Sequence, residues 1–210
     1  MDIIESLKWR YAVKKFDPDY KLSKLQIDRI SEGLVLTASS MGMQLMEFII
    51  IENKELRSKV KPIAYNQGQV EDASHLLVLC RKEEVEHKDI KELVEETSKR
   101  RGIPLDSDKL QGYEKMLSSA LKMPKPQQTI WMENQVYLAM GNLLTICAAE
   151  KVDACPMEGF DRLALDKLLN LEDKGLRSVL ICPIGGRAID DKYSGLPKVR
   201  RSPSKIISYL

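Results

Sequence analysis

Histidine and aromatic side chains are scarce: the 210 residues hold two histidines, two tryptophans and three phenylalanines. Neither His75 nor His87 has a second histidine or a cysteine at ligand spacing, so the sequence offers no donor set for a zinc centre. A histidine-based triad has no identifiable nucleophile partner, and G-x-S-x-G, H-E-x-x-H and Walker patterns are all missing. So is the G-x-G-x-x-G fingerprint; Gly185-Gly186 marks only a tight turn. A nucleotide cofactor would have to be held by side chains and scattered backbone amides.

Cys80, Cys147, Cys155 and Cys182 lie inside apolar runs without C-x-x-C spacing. That pattern reads as reduced core thiols of a cytosolic protein, not as a disulfide framework. Excess charge of one sign is lacking too: the net charge is +2, so nothing at the level of the whole chain argues for nucleic acid or an acidic membrane. The opening MDIIESLKWR begins acidic and has no apolar core of signal-peptide length, and a cytoplasmic protein is expected.

What is present is the composition of an ordinary globular protein, 43% apolar and 30% charged, enough for one domain spanning 1–210. Its organising element is the stretch from Gln128 to Val152, apolar on nearly every side of a helix, too short and too interrupted to cross a bilayer, and so a core or subunit-interface helix. Before it, a short helix over residues 2–9 leads into a basic strand or loop, Arg10 to Phe16, and Ser23 with Gln26 has the form of a capping box opening a second helix. Met46 to Glu52 reads as a central strand, His75 to Arg81 as a second buried strand, and Lys82 to Arg101 as a solvated helix. Residues 106–126 form a weakly amphipathic helical excursion that stops at Pro124-Lys125-Pro126. After the central helix come a short strand, the loop Cys155 to Phe160, a helix marked by Leu163, Leu165, Leu168 and Leu169, and a third buried strand over Arg177 to Arg187. These elements give an α+β fold, a small sheet wrapped by helices.

Arg10, Lys14 and Lys15 near one end of the chain, and Lys198, Arg200 and Arg201 near the other, are flanked by Pro18, Pro197 and Pro203. Such clusters are ordinarily solvated surface. The functional alternative is a dianionic phosphate gripped from both ends of the chain, since guanidinium forks match its oxygens. A nucleic-acid-contacting protein would need these basic ends to form an open surface instead of a closed pocket.

Five stretches taken together resemble the FMN-dependent nitroreductases, in particular the oxygen-insensitive NAD(P)H nitroreductase and flavin reductase branch. They are MDII with Arg10 to Phe16; Ala38 to Gln44; Asn66 through His75; Asn134 to Leu138 leading into Pro156 to Phe160; and Leu196 to Arg200. The resemblance implies a small, mostly antiparallel central sheet and an intertwined homodimer with the long helix in the interface, FMN in the interface clefts and C-terminal extensions embracing the partner. It further implies that Arg10, Lys198 and Arg200 hold the FMN phosphate, that Tyr11 and Ala12 line the cofactor, and that Lys14 lies near the N1 and O2 edge. Asn66 and Gln69 would hydrogen-bond the ring edge. Pro156, Met157, Glu158 and Gly159 would lie along one ring face, with a backbone amide near Glu158 directed at N5; taken alone, this stretch is an ordinary strand-to-helix turn. Ala38, Ser39, Ser40 and Gly42 would come from the other subunit.

The chain departs from the family pattern at Ala12, Gly42, Leu45-Met46 and Gln69, where Ser or Arg, Asn, Pro-Trp and Lys are common. The first two departures remove possible cofactor hydrogen bonds of roughly 0.5 to 1.5 kcal/mol each. The activity implied is ping-pong transfer of hydride from NAD(P)H through tightly bound FMN to nitroaromatics, quinones or flavins. No side chain is certain to be catalytic, Lys14 and Glu158 being the flavin-tuning candidates. Met41, Met43 and residues 106–126 are candidates for the acceptor pocket, because thioethers adapt to varied planar ligands. The alternative is a non-catalytic flavin-binding or sensory protein of the same fold.

Overall fold

In the computed structural model, which describes residues 2–210, four strands pair antiparallel in the order β1-β2-β4-β3, with β1 at Met46–Ile51, β2 at His75–Lys82, β3 at Asp153–Ala154 and β4 at Leu176–Gly185. The two central strands are β2 and β4, whose apolar runs are covered on both faces. β1, expected to be central, is instead an edge strand. Its apolar run has a different cause: Ile49 and Ile51 face one core cluster while Met46, Phe48 and Ile50 face another, so both faces are covered although one edge is free.

Local sequence sets most helix starts. In α1 (Ile3–Trp9) the Asp2 side chain accepts from Ile4 N at 2.8 Å, and in α2 (Lys24–Val35) Ser23 and Gln26 form the expected capping box. α3 (Lys54–Ile63) leads through a tight turn into the four-residue α4 (Gln69–Asp72). Lys82 ends β2 instead of opening a helix, and α5 (His87–Arg101) begins five residues later. Its charged surface conceals Ile90 and Val94, which pack with Leu110 and Leu117 of α6 (Asp108–Leu117) in a separate core cluster. Met43, Leu45 and Met132 also belong to that cluster, so the excursion is packed onto the body of the fold.

The long helix, α7, runs from Lys125 to Ala149. Pro124 and Pro126, expected to close the preceding element, flank its first residue, where a missing N–H costs no helical hydrogen bond. One face is buried: Met132, Val136, Ala139, Leu143 and Cys147 are at most 1% exposed. Asn142, an apparent interruption, donates to the Gly33 carbonyl at 2.9 Å and to Thr37 Oγ1 at 2.8 Å, joining α7 to α2. The opposite face is open in this chain, with Ile130 60%, Leu138 51% and Tyr137 42% exposed.

α8 (Arg162–Leu168) buries Leu165 and packs Leu168 and Leu169 on the core, but Leu163, expected on the same stripe, faces solvent. All four cysteines are buried and unpaired. No helix among the described residues is long and apolar enough to cross a membrane. Beyond β4 the chain turns back past Arg10, and its last residues, Ile206 to Leu210, are exposed.

Candidate functional site

Arg10 caps the C-terminus of α1, and from there the chain runs extended beside the short β3. Ala12 bridges Ala154, Val13 N donates to the Ala154 carbonyl at 3.4 Å, and Phe16 bridges Arg187. Val13 and Phe16 are driven into the core at 0% and 1% exposure, leaving Arg10 and Lys14 outside it. The turn is held by Asp191, which accepts from Lys14 N at 3.0 Å, Lys15 N at 3.2 Å, the Tyr11 hydroxyl at 3.1 Å and Tyr193 N at 3.0 Å.

Arg10, Tyr11, Ala12 and Lys14 then meet Lys198 and Arg200 around a cavity of about 480 Å³. Burial and the nearby Arg200 guanidinium pull the Arg10 pKa down; burial, Arg10 and Arg200 do the same to Lys198. None of the four cations takes part in an ion pair among the described residues, and Lys198 donates to the Arg10 carbonyl oxygen instead. Arg187 beside them is neutralised: it forks onto Asp153, with its guanidinium 4.3 Å from the Trp9 ring centroid and 4.6 Å from that of Tyr11. Cations crowded without a counterion make a site that a dianion would relax.

The cavity adjoins a second group of predicted residues. Lys14 Nζ lies 3.7 Å from Cys155 Sγ. Burial pushes the Cys155 thiol up, against the opposing pull of the Lys14 ammonium and the Gln69 side chain, so a neutral thiol lies beside that ammonium. Gln69 Nε2 donates to Gln67 Oε1 at 3.1 Å, and Gln67 in turn donates to the Gly159 carbonyl at 2.9 Å, tying the Asn66–Gln69 turn to the Pro156–Gly159 loop. Asn66 is exposed, in left-handed conformation at φ 59°. Met157 continues the sheet by exchanging hydrogen bonds with Ile181 at 2.9 and 3.1 Å, which leaves Glu158 and Gly159 outward; the Tyr137 hydroxyl donates to Glu158 at 2.8 Å.

Ala38, Ser39, Ser40 and Gly42 are not brought to this cavity within one chain. Ala38 lines a groove on the open face of α7 with Tyr137, Leu138 and Gly141, and Gly42 lies beside α6. Met43, a candidate for the acceptor pocket, is buried in the core that α5 and α6 share, whereas Met41 reaches a cleft.

Sequence reasoning missed Asp191, Gln67, Arg187 and Arg57. The last is 1% exposed and donates to the carbonyls of Glu71 and Ala73, fixing the end of the turn that carries Asn66 and Gln69. Only for Arg187 was there a signal, a cation directly after Gly185-Gly186; the partners of the others are set by the fold.

A family model described as the Nitroreductase family matches residues 7–186. The chain is 32% identical over 207 residues to the oxygen-insensitive NAD(P)H nitroreductase of Salmonella typhimurium, covering 95% of both chains. It is 30% identical to the enzyme of the same description from Enterobacter cloacae over 99% of both. Its fold is similar to that of a putative nitroreductase in complex with FMN from Exiguobacterium sibiricum, at TM-score 0.83 and 23% identity over 100% of this chain and 98% of that one. A nitroreductase-like protein from Streptococcus mutans gives TM-score 0.83 at 24% identity, covering 99% and 97%.

Proposed function

Because the chain belongs to the nitroreductase family, we propose that it is an FMN-dependent NAD(P)H oxidoreductase that reduces small planar acceptors by a ping-pong sequence, and that 1–210 acts as a single domain. The observation that carries this reading is the cavity at which Arg10, Lys198 and Arg200 meet without a carboxylate partner, next to an equally unpaired Lys14. Three cations gathered at one cavity suit the phosphate of FMN, which the Arg10 and Arg200 guanidinium groups and the Lys198 ammonium would hold.

FMN supplies the hydride chemistry when bound; the protein supplies position and charge. Lys14, placed against a thiol and not a carboxylate, would present its ammonium to the electron-rich edge of the ring. Asn66 and Gln69 would orient the ring edge, Gln69 from a buried position where its amide donates to Gln67, and Pro156 to Gly159 would form a wall, with Tyr137 holding the Glu158 carboxylate to one side. No nucleophilic side chain is required, and protons for the product come from water. NAD(P)H and the acceptor, a nitroaromatic, quinone or flavin, would bind beside the flavin in turn.

The open face of α7, together with Ala38, is the seam of a homodimer in this reading, and Ser39, Ser40 and Gly42 reach the partner's cofactor. Arg57 and Asp191 are positioning residues behind the two halves of the site. Steady-state NADPH oxidation with menadione or a nitrofuran tests the catalytic part directly. Flavin-loaded protein with no turnover on either acceptor would be a non-catalytic flavin carrier.

A further inference from the structure

Outside the basic cavity, the turn at Ser40–Gly42 faces α6 across a cleft of about 440 Å³. The turn is strained: Met41 and Gln44 are left-handed without being glycine, at φ 54° and 49°, and Gly42 lies at φ 70°. It is pinned by three hydrogen bonds: the Tyr113 hydroxyl donates to the Met41 carbonyl at 2.9 Å, Ser40 N donates to Gln135 at 2.7 Å, and Gln44 N donates to the Ser39 hydroxyl at 3.0 Å. Tyr113 and Gln135 hold the strained turn from outside it, with Met41 against the cleft.

Leu110, 2% exposed, contributes the apolar floor, and Met41, Met116 and the Tyr113 ring contribute walls suited to a flat ligand. Arg101, in the last turn of α5, and Lys109, in the first turn of α6, both line the same cleft. No carboxylate lines it, and neither cation is in an ion pair among the described residues. The adjoining cleft, which shares Tyr113 and Arg101, has one lining carboxylate, Glu96, and that group is engaged by Arg100.

We propose that this cleft binds the ring of a planar electron acceptor carrying a carboxylate, and that Arg101 and Lys109 select for the negative charge. The inference rests on the oxidoreductase reading and narrows its acceptor class. An apolar cleft of this size suits a one- or two-ring ligand, and a guanidinium fork at its rim distinguishes a carboxylate from an uncharged isostere.

The test compares 4-nitrobenzoate with 4-nitrobenzamide, matched in ring and size but not in charge, as acceptors for the flavin-loaded enzyme with NADPH. The benzoate should show the lower KM, and the double variant R101Q/K109Q should raise that KM about tenfold with kcat retained, while leaving the KM for the amide within roughly twofold. Equal KM values for the two acceptors in the parent, or a parallel rise for both in the variant, would overturn the proposal. Binding of 2-naphthoate, followed by its own fluorescence, reads the cleft without relying on turnover. It should be lost on Met116→Trp, which fills the cleft from a half-exposed position, and weakened by R101Q. Naphthoate binding unaffected by either change would also defeat the proposal. A protein that binds naphthoate but takes up no FMN would uphold the cleft and defeat the oxidoreductase reading instead.

Discussion

Burial and the Arg200 guanidinium hold the Arg10 pKa down at the basic cavity, and Lys198 adds a third charge to the same space. Arg10→Ala should weaken FMN retention by about 2 kcal/mol, roughly thirtyfold in Kd, with the parent's affinity falling more steeply than the variant's as salt rises. Equilibrium dialysis at two ionic strengths checks this, and unchanged retention would remove Arg10 from the phosphate site. Asp191 behaves oppositely. Burial works against its charge, but the Tyr193, Lys14 and Lys15 amides and the Tyr11 hydroxyl outweigh it and hold the carboxyl below its ordinary range. The folded state then takes up its proton less readily than the unfolded chain, so the stabilisation is complete above the ordinary carboxylate pKa and is lost as pH falls through the lower folded value. Asp191→Asn should cost about 2 kcal/mol near neutrality, with the gap to the parent closing on acidification in urea unfolding curves. The basic residues were legible because each cluster is local in sequence and bounded by prolines. Asp191 was not, since its value comes from amides 176 and 177 positions away.

At the scale of elements, the capping box at Ser23 and Gln26 and the buried runs of β2 and β4 could be read directly, because each depends on neighbours in sequence. The edge position of β1 could not: an apolar run reports that both faces are covered and is silent about which edges are paired. α7 poses the same difficulty on a cylinder. Its all-round apolar surface is one face core and one face open within a single chain. Leu143→Ala, on the buried face, should therefore cost about 3 kcal/mol of stability by urea unfolding. A loss below about 1 kcal/mol would contradict the packing described for α7.

For the whole molecule, the open face of α7 and the Ala38 groove beside it account for residues 38–42 lying away from the basic cavity: in the proposed homodimer they serve the partner's site. Leu138→Asp, on that face, should shift the protein to monomer by sedimentation velocity and weaken its hold on FMN at the same time. A variant that stays dimeric would place the interface elsewhere. The family was legible from five dispersed stretches, and the homodimer was expected through that resemblance alone, because one chain carries only half of each proposed interface. A flavin held at the Arg10, Lys198 and Arg200 cavity and reduced by a nicotinamide donor would be seen in the visible spectrum of the purified protein before and after anaerobic NADPH. The protein should show a bound-flavin spectrum, retained through gel filtration, that bleaches on addition of NADPH. A colourless protein that fails to take up FMN on reconstitution would contradict it.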